Sequence, residues 1–398
     1  MEYLCIKGNK YEQIIFGLLL VYALATNLSV GITSTCVVIM IAITLVQKVK
    51  TGAIPCLEPG IKKVLLIYFA FQLIIAIFSW NPSASVHEVF STFTRVVIPM
   101  YYAMSYIKSP KQLVVICVAM LTSLLISDFT GLYQLSNNIL LRVNGASDNP
   151  NMFAVHIIMT LPLIYIIFRN NILGNYVQYY MYFVLGISTL MLLIARSRSS
   201  WVTLVCMIAM LLYCDKDNRK LFIKVVSAFV ILLVCIGIFM PDFVDRVVSI
   251  VDLENKSNSD RVLMWKASWA MFMDYPVTGV GQEQWQQAYY GPYNDFVTPY
   301  YYFTHPHNNI IQQLAQGGLC GVFSYFLLHL FFLYKFLKMK LSNKVGIVQY
   351  CGVAGVLIWL GMQVTGIFDV NLDKIAIMRE YWFIMGVLLS AVHYADVD

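Results

Sequence analysis

The feature that most constrains the fold of this chain is a series of apolar runs, each about as long as a helix needs to cross roughly 30 Å of hydrocarbon. These runs lie near residues 13–29, 31–47, 64–80, 89–107, 112–130, 151–168, 179–195, 200–214, 221–240, 318–336, 345–368 and 376–394. The first two runs are closely joined, and the run at 200–214 is short. The pattern predicts an all-α polytopic membrane protein with about twelve transmembrane helices.

The charge content of the sequence excludes a water-soluble domain. Only 12% of the residues are charged, whereas a soluble globular protein carries roughly 25%. The net charge of +6 lies mostly in short loops, so it reports membrane orientation rather than nucleic-acid binding. The nine cysteines are scattered, without CxxC or Cys/His metal spacing. We therefore expect no nucleic-acid partner and no metal.

The sequence shows no internal repeat and no Pro/Gly/Ser-rich linker. We therefore expect a single membrane domain over residues 1–398, with one large external loop at 241–305. The apolar stretch near 14–30 follows a charged start but lacks a convincing small-residue cleavage site, so we expect a retained first span rather than a signal peptide.

The positions of Lys and Arg predict the orientation of the chain. With both termini in the cytoplasm, most of the 27 basic residues fall in cytoplasmic segments, and nearly all of these are Lys. The remaining basic residues, in spans or on the external side, are Arg95, Arg142, Arg196, Arg198, Arg246, Lys256, Arg261, Lys266, Lys374 and Arg379. Forked guanidinium groups suit bidentate binding of phosphate. This Arg-rich set indicates an anionic ligand on the outer side.

Two short external stretches are candidates for that site. The turn-rich segment from Arg142 to Asn151 precedes the sixth span, and its Asn-Pro-Asn ending is equally suited to starting a helix. The Arg196-Ser-Arg198-Ser-Ser-Trp201 segment ends the seventh span. Residues two apart point in nearly opposite directions on a continuous helix, so both arginines reach one ligand only if the helix breaks here.

The long external loop contains a third candidate, Arg261. It begins a series with Trp265, Trp269 and Met273 at a helical spacing of four, which is also typical of an amphipathic helix on the membrane surface. Farther along, Trp285 and several tyrosines between 289 and 302 are suited to stacking on sugar rings. Aromatic residues also populate membrane interfaces, so both interpretations stay open.

The fourth candidate is the polar segment that leads into the tenth apolar run and contains His305, His307 and Asn308. Pro306 suits the first turn of a helix, and Thr304 or His305 could cap it. In that first turn the helix dipole would favour a neutral His307, able to accept a proton. The glycines at 317, 318 and 321 are expected to interrupt the helix. The alternative is that both histidines merely cap a re-entrant or interfacial helix.

Taken together, these motifs resemble the bacterial O-antigen ligase and polymerase superfamily. The matching elements are Ser197-Arg198-Ser-Ser-Trp201, Arg261 with Trp265, the turn Pro276-x-x-Gly279-x-Gly281, the series Pro306-His307-Asn308-Asn309 with Ala315, Gly318-Leu319 and Gly321, and Gly145 with Asn149-Pro150-Asn151. The motifs cover roughly residues 140–325. One departure is Gln316, where the family commonly carries Glu.

The resemblance implies a metal-independent, inverting glycosyltransferase with a GT-C-like helical fold and no cofactor. Its donor would be a glycan on undecaprenyl diphosphate. Its acceptor would be a lipid A-core sugar for a ligase, or a second lipid-linked repeat for a polymerase. His307, Arg198 and Arg261 would be catalytic, and the substrate-binding residues would be Arg196, Arg142, Asn151, His305 and Asn308.

The resemblance also implies a multi-pass protein of the bacterial inner membrane, surrounded by membrane lipid, with its active site facing the periplasm. The competing class is a transporter or flippase for an anionic or polyprenyl-linked solute. A transporter predicts ionisable groups at mid-membrane depth and similar features in two halves. Arg95 and Arg379 are the obvious in-span arginines, and no symmetry between halves is visible.

Overall fold

The computed structural model describes residues 9–52, 54–137, 142–215, 220, 223–224, 227, 231, 238, 256–297, 302–342, 346–371 and 374–394. Over this part of the chain the fold is helical, without strands. The helices are α1 (Lys10–Ala25), α2 (Val30–Thr51), α3 (Pro59–Ile77), α4 (Pro82–Tyr106), α5 (Pro110–Asn137), α6 (Pro150–Thr160), α7 (Leu163–Asn170), α8 (Asn175–Ile194), α9 (Arg198–Cys214), α10 (Lys256–Asp274), α11 (Trp285–Tyr290), α12 (Asn309–Lys340), α13 (Ile347–Phe368) and α14 (Ile375–Ser390).

Eight of the described segments are long and apolar enough to cross a membrane, with α6 and α7 counted as one segment. This confirms the predicted all-α polytopic class. The helices α1, α4 and α9 coincide with three further apolar runs of the sequence. The run at 221–240 lies largely outside the described residues, as does the first part of the predicted loop at 241–305.

Capping side chains start several helices at the external end of the bundle. Asn149 accepts a hydrogen bond from the backbone N–H of Met152 (2.9 Å) and starts α6, with Pro150 at its first position. Asn81 caps α4 in the same way through Ala84 (3.1 Å). The Asn-Pro-Asn motif therefore does start a helix, and it leaves Asn151 one residue inside.

The start of α12 differs from the sequence prediction. Asn308 is the cap, because its Oδ1 accepts from the backbone N–H groups of Ile310 (2.9 Å) and Ile311 (3.1 Å). The placement of Pro306 and His307 in the first helical turn, with Thr304 or His305 as the cap, was wrong. His307 has a φ of 51°, a left-handed conformation that cannot continue into a right-handed helix.

The predicted interruption of α12 is confirmed at Gly318, where φ is 56° and ψ is −148°. Residues 276–281 pack into this break. Val280 and Gly281 donate backbone N–H groups to the carbonyls of Ala315 (2.9 Å) and Gln316 (3.0 Å). In return, Leu319 donates to Pro276 (2.9 Å) and Cys320 donates to Val277 (3.0 Å). The loop thereby pairs backbone groups that the broken helix leaves open.

A small apolar core lies between α10 and α11. It contains Met264, Ala267 and Met271 of α10 together with Trp285 and Tyr289 of α11. The face of α10 that packs on α12 is thus not the face of Trp269 and Met273, which are exposed. Trp285 and Tyr289 are fully buried and stack on each other (ring centroids 4.6 Å apart), so they form core rather than a platform for sugar rings.

Candidate functional site

A cavity of about 310 Å³ lies where α6, α9, α10 and the segment before α12 meet. Four of its lining residues carry a positive side chain, and we refer to it as the cationic pocket: Arg142, Arg198, Lys256 and Arg261. Asp260 is the acidic side chain among the lining residues. The pocket also contains Asn151 and His307, so it brings together five residues predicted from the sequence.

Helix orientation adds to the positive charge of this pocket. The helices α6 and α9 begin at residues 150 and 198, and each contributes first-turn residues to the lining. The first N–H groups of a helix lack intrahelical partners, and the dipole of the helix is positive at this end. Two helix N-termini therefore face the same space as four cations, an arrangement suited to a phosphate-bearing ligand.

Arg142 is held in place by its neighbours before any ligand binds. Its Nε donates to the carbonyl of Ala195 (3.1 Å), and its Nη2 donates to Oδ1 of Asn151 (2.9 Å). The turn behind it needs Gly145, which has a φ of 55° and where an added Cβ would lie 2.6 Å from Ser127 Oγ. The Arg142 guanidinium is thus positioned by the loop as well as by its charge.

Arg198 opens α9 and reaches across to α10. Its Nη2 donates to Ser257 Oγ (3.3 Å) and to Asn258 Oδ1 (3.2 Å) of that helix. Arg261 follows on α10, one turn after Ser257, and lines the same pocket. The two arginines that the motifs predicted to be catalytic therefore reach one pocket from two different helices, where both can contact one diphosphate.

His307 is oriented by an aspartate that was not among the predicted site residues. Asp369, the residue that follows α13, accepts from Nδ1 of His307 at 2.9 Å. It also accepts from the backbone N–H of Val370 (2.9 Å) and from Asn151 Nδ2 (3.4 Å). With its Nδ1 proton donated to a carboxylate, the imidazole keeps its Nε2 as the proton-accepting nitrogen.

The Asp369 carboxyl is held in its ionised form. Burial alone would raise its pKa, but hydrogen bonds from His305 and His307, and the charges of these residues, bring the pKa well below its usual range. An ionised carboxylate fixes the tautomer of a neighbouring imidazole and stabilises the imidazolium that forms when that ring accepts a proton. Asp369 therefore supports a general base at His307.

Three predicted site residues do not line the cationic pocket. Arg196 lies in the break between α8 and α9, with a φ of 52°. His305 is buried and its Nε2 lies 3.4 Å from Asp369 Oδ1. Asn308 caps α12 and also donates from Nδ2 to the carbonyl of Ile367 (3.0 Å). The helix does break at Arg196–Arg198, which was the condition for both arginines to reach one ligand, yet only Arg198 lines the pocket.

Two residues of the candidate site were absent from the predicted site: Lys256, which lines the pocket, and Asp369, which contacts His307. Lys256 was recognised as an external cation but not as a ligand residue, because it precedes the recurring pattern that begins at Arg261. Asp369 stands 62 residues after His307 and beside a different helix. The sequence marks Asp369 only as an acidic residue at the end of an apolar run.

His305, His307 and Asp369 each offer one donor atom within 4.8 Å of the others, so of the described residues these form the group that could hold a metal ion. The hydrogen bonds already described account for their grouping. The expectation of a metal-independent site stays a prediction.

A comparison with known families gives a match to the family described as O-antigen ligase over residues 183–326. That range contains Arg198, Arg261 and His307, and it ends before Asp369. No curated protein matches the chain. The match covers about a third of the chain and supports, for residues 183–326, the resemblance to the O-antigen ligase and polymerase superfamily that the motifs indicate.

Proposed function

We propose that this protein is an O-antigen ligase-like glycosyltransferase that moves a glycan from undecaprenyl diphosphate to a lipid A-core sugar hydroxyl on the outer face of the inner membrane. One observation carries the proposal: a single cavity joins four cations and two helix N-termini to a histidine that is held by an aspartate. Each part matches a need of glycosyl transfer from a diphosphate. A polymerase would use the same donor and differ in its acceptor.

The reaction uses these groups in one displacement. The acceptor hydroxyl gives its proton to Nε2 of His307 while its oxygen attacks the anomeric carbon. The bond from that carbon to the phosphate oxygen breaks on the opposite face, and the diphosphate leaves with the electron pair. Arg198, Arg261, Arg142 and Lys256 stabilise the charge that develops on the leaving group. The anomeric configuration is inverted.

The test is transfer by the purified protein in nanodiscs. Undecaprenyl-diphosphate-linked glycan is offered with either lipid A-core or a second lipid-linked repeat as the acceptor, in the presence of EDTA. We expect EDTA-resistant product that falls by about 10²–10⁴-fold in His307→Gln and by about 10²–10³-fold in Arg198→Ala. The acceptor that is consumed distinguishes ligase from polymerase.

The matched control is Arg169→Ala, which removes an arginine at the far end of α7 and should leave transfer unchanged. Absence of product with both acceptors, together with movement of the lipid-linked glycan across proteoliposomes, would replace the transferase with the competing transporter class. Loss of product on addition of EDTA would overturn metal independence while leaving the transferase in place.

A further inference from the structure

A second cavity lies on the other side of α12, between α3, α4 and α14. Glutamines from three segments line it, and we refer to it as the amide cleft, defined by Gln72, Gln282, Gln312, Gln316 and Trp382. Gln312 stands five residues after His307 on the same stretch of chain. The first turns of α12 therefore separate the cationic pocket from the amide cleft.

A chain of side-chain hydrogen bonds forms part of the cleft wall. Gln282 donates from Nε2 to Gln72 Oε1 (2.6 Å), and Gln72 donates from Nε2 to Ser324 Oγ (2.9 Å). These bonds join the external loop, α3 and α12 and fix one wall. Gln282 directly follows the Gly279-Val280-Gly281 turn. This turn lies against α12, where an added Cβ at Gly279 would lie 2.4 Å from the backbone of Gln316.

Two other residues that line the cleft carry polar atoms that the described residues leave unpaired. Gln312 Oε1 is an acceptor without a partner there, and Trp382 Nε1 is a donor without one. Their residues are 6% and 1% exposed. Buried polar groups in folded proteins are normally paired, so one acceptor and one donor lining the same cavity indicate a ligand group that donates and accepts at once. A hydroxyl has this property.

The amide cleft differs in charge from the cationic pocket. Among the lining residues that the structure describes there is no lysine or arginine, and the acidic side chains Glu88 and Glu283 stand at the entrance. Arg95 pairs with Glu88 (2.9 Å) from outside the lining and offsets its charge. The described lining thus offers a diphosphate no lysine or arginine, whereas an uncharged ligand with hydroxyl groups can donate to carboxylate oxygens.

The size of the cleft limits what enters it. The cavity has room for about 50 Å³, enough for an exocyclic hydroxyl group or a few waters but not for a whole sugar ring. Glu88 and Glu283 also line an open depression on the external surface, beside the exposed Ser83 and His87. A ring can lie in this depression while one of its substituents reaches inward.

We propose that the amide cleft and its open entrance form a binding site for an uncharged, hydroxyl-rich saccharide, separate from the diphosphate site. A sugar ring occupies the entrance between Glu88 and Glu283, and an exocyclic hydroxyl satisfies Gln312 Oε1 and Trp382 Nε1. The identity of that saccharide as part of a transferred or accepting glycan rests on the proposed function. The existence of the site does not.

The experiment is saturation-transfer NMR on the protein in nanodiscs with three neutral disaccharides: lactose, maltose and N,N′-diacetylchitobiose. We expect transfer to at least one of them, weakened about tenfold or more in the Gln312→Leu/Trp382→Phe double variant. Inorganic pyrophosphate should not displace the sugar, because it binds in the other pocket. Trp285→Phe is the matched control, since its buried indole N–H donates to Ser268 Oγ (2.8 Å) and neither residue lines this cleft.

If the double variant does not fold, Trp382→Phe alone decides, because it removes an N–H that has no partner among the described residues and leaves the Gln312 amide in place. Absence of transfer to every disaccharide with the wild type, or undiminished transfer with the variants, would show that the cleft holds water only. Specific saccharide binding without glycosyltransferase activity would leave this site standing and overturn the proposed function. Activity with no saccharide binding would do the reverse.

Discussion

At the scale of single residues, the site depends on side chains that are positioned before substrate arrives. Arg142 is held by Ala195 and Asn151, Arg198 by α10, and His307 by Asp369. Such preorganisation matters for catalysis because groups that are already oriented need not be ordered as charge develops. The left-handed backbone at His307 is a further local cost that the surrounding contacts must offset.

Asp369→Asn tests this orientation. The amide keeps the size of the side chain but loses the charge that stabilises a protonated His307, so we expect kcat to fall by about 10²–10⁴-fold. The KM for the lipid-linked donor should change little, because the diphosphate contacts the cationic pocket. Steady-state transfer kinetics in nanodiscs measure both. Asp215→Asn, at the opposite end of the bundle beside Tyr165, is the control; a fully active Asp369→Asn enzyme would exclude the proposed role.

At the scale of elements, the broken helix α12 and the external turn at 276–281 form one unit. Gly318 adopts a φ of 56°, and an added Cβ there would lie 2.5 Å from the carbonyl carbon of Val277. Gly279 has a similar restriction on the other side of the contact. The glycine pattern therefore records a close approach of two backbones, which no larger residue permits.

Gly318→Ala should destabilise the protein by about 1–3 kcal/mol, because alanine is strained at this φ and its Cβ meets the 276–277 backbone. The measurement is the unfolding midpoint in detergent. Gly186→Ala is the matched control: Gly186 lies within α8 with nothing within 4 Å of an added Cβ, so alanine there should be neutral or stabilising. Equal midpoints for the two variants would contradict the close-approach argument.

At the scale of the whole molecule, the cationic pocket lies at one end of the bundle and the exposed Cys56 lies in the loop at the other. The distribution of Lys and Arg predicts that the pocket end faces outward. Cys56 and the exposed Tyr302 are therefore suitable positions for thiol labelling from the two sides of the membrane.

A membrane-impermeant thiol reagent added to intact spheroplasts should label Tyr302→Cys in a background from which all nine native cysteines have been removed, and should leave unlabelled a variant that retains only Cys56. Permeabilised membranes should label both positions, which controls for reactivity. The opposite pattern would place the pocket in the cytoplasm and remove the periplasmic assignment.

Much of this fold could be predicted because hydropathy and helix length act locally. Most apolar runs became helices close to their predicted bounds, and the glycine at 318 breaks α12 as expected. The start of α12 was predicted too early because a proline such as Pro306 occurs in extended segments as well as in the first turn of a helix. Asp369 was missed because its contact with His307 joins positions 62 residues apart, which no local pattern encodes.

The mutual pairing between residues 276–281 and 315–320 also bears on biogenesis. The external turn is synthesised before α12, so the N–H groups of Val280 and Gly281 have no protein acceptor until the later segment enters the membrane. A chain that stops before residue 309 lacks half of this interface. Quality-control proteases that recognise open backbone should therefore remove chains truncated there, whereas chains that extend past residue 321 can close the contact.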